Sequence, residues 1–291
     1  MFKDARDAQI AFLALFLLLG VSTRDWTLHP SLLLATIASC LLAQWLSTVL
    51  IPYAQQRRLG AAIAPDTRPV PLLSLPGWRS ALITSLGLCL LLRANSPLTM
   101  AIAGCLAIAS KSLLRYQGKH FFNPANFGII AVLLLTQNAW VSPGQWGAEP
   151  IYLLFFAGAG CLVLGWVGRW ETSAAFLVSY GGLEAARSLY LHQAWDIWAH
   201  QFSSGSLLLF ALFMLTDPRS IPNARGARLL WAVAIALSTF VLQHQFYLPT
   251  AIFWSLFALA PLTPLLDARW QAPAFDWRAV YRRDRQTLAD G

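Results

Sequence analysis

The stretch Ile151–Arg169, IYLLFFAGAGCLVLGWVGR, decides what kind of molecule this is. From Ile151 to Val167 it contains aliphatic, aromatic, alanine and glycine residues and one cysteine, and nothing charged. A helix with no polar face has no side to turn to water, and about 20 apolar residues match the thickness of a bilayer's hydrocarbon core. The apolar residues are contiguous, without the period-two alternation of a membrane strand. Arg169 then closes the run with a positive charge.

Similar runs lie on both sides. Upstream they are about Ala8–Val21, Pro30–Ile51, Ser80–Leu92, Pro97–Ser110 and Asn126–Thr136; downstream, Thr172–Ala186, Ser204–Leu215, Leu229–Leu242 and Pro249–Leu266. This predicts an all-α, polytopic membrane protein of about ten transmembrane helices, a single integral membrane domain over residues 1–291. A short basic tail occupies about 267–291, with Trp270 and Trp277 near the interface. Several runs fall short of the roughly 20 residues of a straight span, so they either extend into polar flanks or are broken helices lining a site. Hydrophobic residues make up 57% of the 291 and charged residues 12%, against roughly 25% charge in soluble domains. A soluble enzyme and a disordered chain are excluded. The first run is not a cleavable signal, since no small-residue cleavage site follows it.

The basic residues test this topology. Taken alternately from the N-terminus, the loops of one set hold eighteen of the 21 lysines and arginines, and the other set holds only Arg24, Arg93 and Arg187. A span count wrong by one would scramble the alternation. The inner-membrane protein therefore has both termini cytoplasmic by the positive-inside rule. The net charge of +8 resides in these short loops, so a nucleic-acid partner is not implied. The longest inner loop, about Pro52–Arg79, is a proline-rich connector with Pro65, Pro69, Pro71 and Pro76. No Walker A, GxGxxG or GxSxG pattern is present, which excludes an ATP-driven pump and a Rossmann oxidoreductase within this chain. Cys40, Cys89, Cys105 and Cys161 each sit in an apolar run with no CxxC pair, and are expected as small buried residues.

Two polar segments carry the candidate chemistry. The first, KSLLRYQGKHFFNPANFG, runs from Lys111 to Gly128 on the cytoplasmic side. Asn123-Pro124 starts a helix, because proline restricts the residue before it and fits the first turn. Asn126 follows near the helix N-terminus, where free backbone N–H groups favour an anion. Arg115, Lys119 and His120 stand close by in sequence. A phosphate, flavin or ion site is one reading; a cap with positive-inside anchors is the other. The second segment, Ser203–Arg228, contains Thr216-Asp217-Pro218 at the end of a span. Asp217 is either a carboxylate facing an ion or cofactor at a helix break, or a helix stop paired locally with Arg219 or Arg225.

Glu184 is the one carboxylate well inside a run, three residues before Arg187, a spacing that permits an intrahelical pair. His192, Asp196 and His200 are spaced by four on one helical face. That spacing suits a metal or haem edge, but Trp195 and Trp198 between them favour a surface amphipathic helix.

The run GKHFFNPANFGI together with FMLTDPRSIPNARGARL resembles the RnfD/NqrB family, membrane subunits of flavin-containing, ion-translocating electron transport complexes. Ser80-Ala81-Leu82-Ile83-Thr84 resembles a further stretch of that family, with Ser85 where glycine is usual. The similarity covers about Pro30 to Asp267. It implies ten helices in two related five-helix halves, similar to those of urea transporters. It also implies a membrane flavin, FMN or riboflavin, and partner redox or membrane subunits, with Na⁺ or H⁺ as the coupled ion. It assigns Lys119, His120, Asn123, Pro124, Asn126, Ser204, Gly205, Thr216 and Asp217 to the cofactor or ion path. Relatives attach FMN covalently to a threonine in an outer loop after the Asn-Pro-Ala helix. The corresponding stretch here, Gln137–Pro150, has no threonine, so any flavin is expected to be non-covalent. The compact form resembles stand-alone members associated with enediyne biosynthesis. A small-solute transporter or a non-redox scaffold subunit are the alternatives, and no complete catalytic site is expected in this chain.

Overall fold

A computed structural model describes residues 4–23, 28–50, 71, 74–142, 150–202 and 204–276. Arg24, most of the proline-rich connector, residues 143–149 of the Gln137–Pro150 loop, Ser203, and the tail from Trp277 onward lie outside the described residues.

The described chain is mostly helix. α1 spans Ala5–Thr23, and α2 spans Pro30–Trp45 and continues in a wider π-helical turn over Leu46–Leu50. α3 (Trp78–Leu91) runs into the short strand β1 (Leu92–Ala94), and α4 (Pro97–Leu113) leads to a hairpin of β2 (Arg115–Tyr116) and β3 (Lys119–His120). α5 (Pro124–Leu135) is followed by β4 (Ala139–Val141), α6 (Pro150–Val167), α7 (Trp170–Tyr190) and α8 (Trp195–Phe202). α9 (Gly205–Leu209) passes into a π-helical segment over Phe210–Met214; α10 (Arg225–Gln245), α11 (Ala251–Leu259) and α12 (Leu262–Arg269) complete the order.

Local chemistry sets several boundaries. Pro30, Pro97 and Pro124 occupy first-turn positions, where a missing N–H costs nothing. Ser96 caps α4 by accepting from the Leu98 N–H at 3.2 Å. α6 and α7 are separated by Gly168, whose φ of +67° suits glycine.

The short strands refine the all-α expectation. β1 and β4 pair antiparallel, Leu92 with Val141, Arg93 with Trp140 and Ala94 with Ala139, so the ends of α3 and α5 satisfy each other's backbone. Arg93, expected in an outer loop, is instead 2% exposed. Its guanidinium donates to the Cys89 and Leu92 carbonyls, both at 2.7 Å, and closes the C-terminal end of α3.

Packing partners recur along the chain. α2 lies along α4 as α7 lies along α10; α4 packs on α5 as α10 packs on α11; α1 meets α3 as α6 meets α9. Small residues let these helices close up. A Cβ on Gly128 would meet the Ala103 carbonyl oxygen at 2.6 Å, so α4 and α5 touch backbone to backbone there. The helices Ala5–Ser22, Pro30–Leu50 and Arg225–Gln245 are long and apolar enough to cross a bilayer, and α11 and α12, bent by 49° at their junction, are so only as a pair, as a broken span or a re-entrant loop. α3, α4 and α5 are shorter apolar helices. Leu18, Leu34, Leu98, Leu134 and Val178 point outward and are 65–75% exposed, an apolar exterior that suits lipid. Cys40 and Cys89 are buried as expected, but Cys105 and Cys161 lie on exposed faces, because the apolar runs are apolar on their outer sides too.

Candidate functional site

The site begins at the β2–β3 hairpin. Gln117 (φ +49°) and Gly118 (φ +79°) form its tight turn, and the turn delivers Lys119 and His120 to the start of α5. Asn123 then caps α5: its side-chain oxygen accepts from the Asn126 N–H at 3.0 Å. The Asn123 amide donates at 3.0 Å to the carbonyl of Met214, the last residue of the π-helical segment after α9. One side chain therefore serves the free N–H end of one helix and the free C=O end of another.

That second helix end is held by further bonds. The Leu215 N–H reaches back to the Phe210 carbonyl at 2.8 Å, Thr216 Oγ1 donates to the Leu212 carbonyl at 2.8 Å, and Ser173 Oγ on α7 donates to the Ala211 carbonyl at 2.6 Å. The chain turns at Asp217, whose carboxylate accepts from the Arg219 N–H at 3.2 Å. His120 Nε2 lies 3.5 Å from Asp217 Oδ2. His120 is 3% exposed, and its Nδ1 is buried without a partner among the described residues. Burial alone would push the Asp217 carboxyl up. The hydrogen bond and charge of His120, with the Arg219 N–H and the Ser220 hydroxyl, outweigh it and hold the group below the ordinary carboxylate value.

These groups face a cavity of about 300 Å³. His120, Asn123, Pro124, Thr216 and Asp217 line it, as do Ser80 and Thr84 of α3. All three sequence segments that carry the family resemblance thus meet at one place. Leu209, Leu212, Phe213 and Ile83 form an apolar wall, and Lys111, Arg115, Arg219 and Arg6, whose guanidinium is paired with Asp4, add basic side chains to the lining. Lys111 is fixed by Ser80 Oγ at 2.9 Å and Gln44 Oε1 at 3.3 Å. Sequence reasoning gives Gln44 and Lys111 no role in the site; a glutamine within the Pro30–Ile51 run is the one signal it offers. An apolar chamber with a cationic rim and a His–Asp pair suits a ligand with a flat apolar body and an anionic or acceptor-rich end, and the pair can hold or pass a proton.

The other candidate residues stand apart from this cavity. Lys119 Nζ reaches Asp267 at 2.7 Å, Asn223 Oδ1 at 3.0 Å and the Ile221 carbonyl at 2.5 Å, and so ties the loop after Asp217 to α12. Burial pushes the Lys119 ammonium down, against the opposing pull of Asp267. Asn126 is 1% exposed and donates to the Phe253 carbonyl of α11 at 3.1 Å. Ser204 and Gly205 sit at the opposite end of α9 from Asp217. Ser206, one residue further on, lines a second cavity of about 370 Å³ with Ser142, Thr250, Trp140 and Trp254.

Glu184 pairs with His244 of α10 rather than standing in a local pair with Arg187: Nε2 and Oε1 are 2.7 Å apart. His192 precedes α8, a helix with no buried residue. Among the described residues no three His, Cys, Asp or Glu side chains converge on a metal position.

Residues 136–276 match the sequence profile of the NQR2, RnfD, RnfE family. The chain is also similar to a subunit of the ion-translocating oxidoreductase complex of Stutzerimonas stutzeri, 30% identical over 126 residues. That stretch is 43% of this chain and 35% of the relative, so the chain spans about a third of the length of the curated relative it matches. The profile includes Thr216-Asp217-Pro218 and starts after Asn123-Pro124, so it is narrower than the Pro30–Asp267 resemblance. Over residues 136–276, therefore, the chain is similar to the NQR2, RnfD, RnfE family.

Proposed function

We propose that the protein is an integral membrane subunit of an electron transport system, working with partner membrane or redox subunits and coupling electron flow to Na⁺ or H⁺. The observation that carries this reading is the His120–Asp217 contact in the cation-rimmed cavity, where the start of α5 meets the end of the α9 segment. The similarity to a subunit of an ion-translocating oxidoreductase complex supports the same class. In this reading the recurrent packing corresponds to ten membrane-crossing segments in two five-helix halves, with both termini cytoplasmic in the inner membrane. Residues 1–291 then form a single domain.

The cavity fits a non-covalent flavin, FMN or riboflavin. Its size is at the lower end of the range for small-molecule sites, about 300–1,000 Å³. The unpartnered His120 Nδ1 offers a hydrogen bond, and Arg6, Arg115 and Arg219 suit a phosphate or ribityl oxygens. When bound, the flavin would supply one- and two-electron redox chemistry. The residues of the chain would orient it: His120 through Nδ1, Lys111 and Arg219 by charge, Leu212 and Phe213 by contact. Asp217, kept ionised, would attract a cation or orient His120 through its Nε2.

The test is the absorption spectrum of purified protein before and after acid denaturation and filtration. Flavin bands that pass the filter support the reading. Flavin retained on the polypeptide overturns the non-covalent assignment. A preparation without flavin that moves a small solute across liposomes with no electron donor overturns the redox reading in favour of a transporter.

A further inference from the structure

The helices α7 and α10 run side by side, and each end of their seam is pinned by a glutamate of α7 against a cation of α10. At the end near Asp217's loop, Arg228 Nη2 meets Glu171 Oε1 at 2.5 Å, and its Nη1 donates to the Asn223 carbonyl. Arginine does not lose its proton in a protein, so that pair is permanently charged. At the other end, His244 meets Glu184. Here, unlike arginine, both members are side chains that can gain and lose a proton, and the contact joins them.

The surroundings of this second pair favour exchange. Glu184 is 1% exposed, whereas the His244 side chain is 13% exposed, so the imidazole is the reachable member and the carboxylate the sheltered one. The Phe240 ring lies edge-on to His244 at 4.7 Å and walls the imidazole from one side. Tyr180, one turn before Glu184, donates to Gln243 Oε1 at 2.8 Å and brings a second hydroxyl–amide contact across the same seam. The other titratable groups near the pair are few. On α7 they are Tyr180, Arg187 and the exposed Tyr190; α6, which also meets α7, carries Tyr152 and the exposed Cys161; α8 packs on α7 through Trp198 and Phe202 and carries Asp196 and His200, both exposed; α11 and the Phe210–Met214 segment carry none.

We propose that Glu184 and His244 form a proton-exchange site on the α7–α10 seam, at the end opposite the Asp217 cavity. The resting pair shares one proton, as imidazolium and carboxylate or as imidazole and carboxylic acid, and is neutral either way. Uptake of a second proton leaves imidazolium beside a carboxylic acid, removes the attraction and frees this end of the seam. Release to solvent through His244 restores the contact. The Glu171–Arg228 end, which cannot change charge, stays closed throughout. This site stands on its own geometry and does not depend on bound flavin.

The test is an infrared pH titration of the full-length protein in lipid nanodiscs. It covers about pH 5 to 8, the window in which histidine changes charge. As pH falls, the wild type is expected to gain the C=O band of a protonated buried carboxyl. E184Q loses that band, H244Q moves its midpoint by about one pH unit or more, and D217N retains it. A band that survives in E184Q, ignores H244Q or never appears overturns the proposal. Should H244Q fail to fold, nitrogen-15 histidine spectra of the wild type decide: His244 must be imidazolium at the low-pH end of the window, and a His244 that is neutral there overturns the site.

Discussion

Asn123 donates its side-chain amide to the Met214 carbonyl at 3.0 Å, joining the first turn of α5 to the last turn of the α9 segment. The same side chain caps its own helix. Asn123→Ala should therefore cost about 2–3 kcal/mol, roughly 1 for the cap and the rest for the Met214 carbonyl, which would keep only the long 3.4 Å bond from the Asp217 N–H. Asn123→Ser, which can still cap but cannot reach Met214, should recover about 1 kcal/mol. Thermal unfolding in detergent reads both, and an alanine variant that melts with the wild type would remove this account.

Asp217 makes a pH prediction with a definite sign. Its carboxyl is held below the ordinary value of 3.8 in the folded protein, so its contribution is complete above that pH and is lost as pH falls through the lower folded value. Asp217→Asn should flatten the acid limb of the melting temperature against pH while His120 keeps its place. Parallel acid limbs in wild type and variant would contradict the assignment.

Lys119 and Asp267 are each 17% exposed and 2.7 Å apart, in contact across the hairpin, the loop after Asp217 and α12. A double-mutant cycle with Lys119→Gln and Asp267→Asn should give a coupling of about 1–3 kcal/mol. A coupling near zero would mean that the neutral acceptors Asn223 and Ile221 hold the lysine alone.

Gly128 lies where α5 meets the backbone of α4. Gly128→Ala should cost about 1–3 kcal/mol by forcing the helices apart. Gly158 of α6 has nothing within 4 Å of an added Cβ. Gly158→Ala should thus be neutral or stabilising by up to about 1 kcal/mol through helix propensity. Equal effects at the two positions would argue against the close α4–α5 crossing.

How much is legible in the sequence differs from element to element. Ile151–Val167 announces α6 almost to the residue, because an uninterrupted apolar run has one physical solution. Asn123-Pro124 announces the start of α5, since cap and proline rules are local. The gathering of Thr84, Asn123 and Asp217 around one cavity follows the family resemblance and no local rule. Glu184 offers Arg187 three residues away, yet its partner is His244 on a helix that runs in the same direction. No sequence spacing encodes which helices lie parallel. Arg93 reads as a loop charge, because nothing local reveals that two carbonyls at the end of α3 will claim it. The β1–β4 ladder is hidden for the same reason: three-residue strands carry too little pattern to stand out.

The wide turn over Phe210–Met214 bears on how the protein is made. Its carbonyls at Ala211 and Met214 are answered by Ser173 and Asn123, side chains that belong to α7 and the start of α5. A helix arriving in the bilayer without those two donors has every reason to stay a regular α-helix, since that form satisfies its own backbone. The irregular turn is therefore a product of assembly, acquired when the segment docks on helices inserted before it. Biogenesis then has an order: the C-terminal portion takes its final shape on the N-terminal portion as a template.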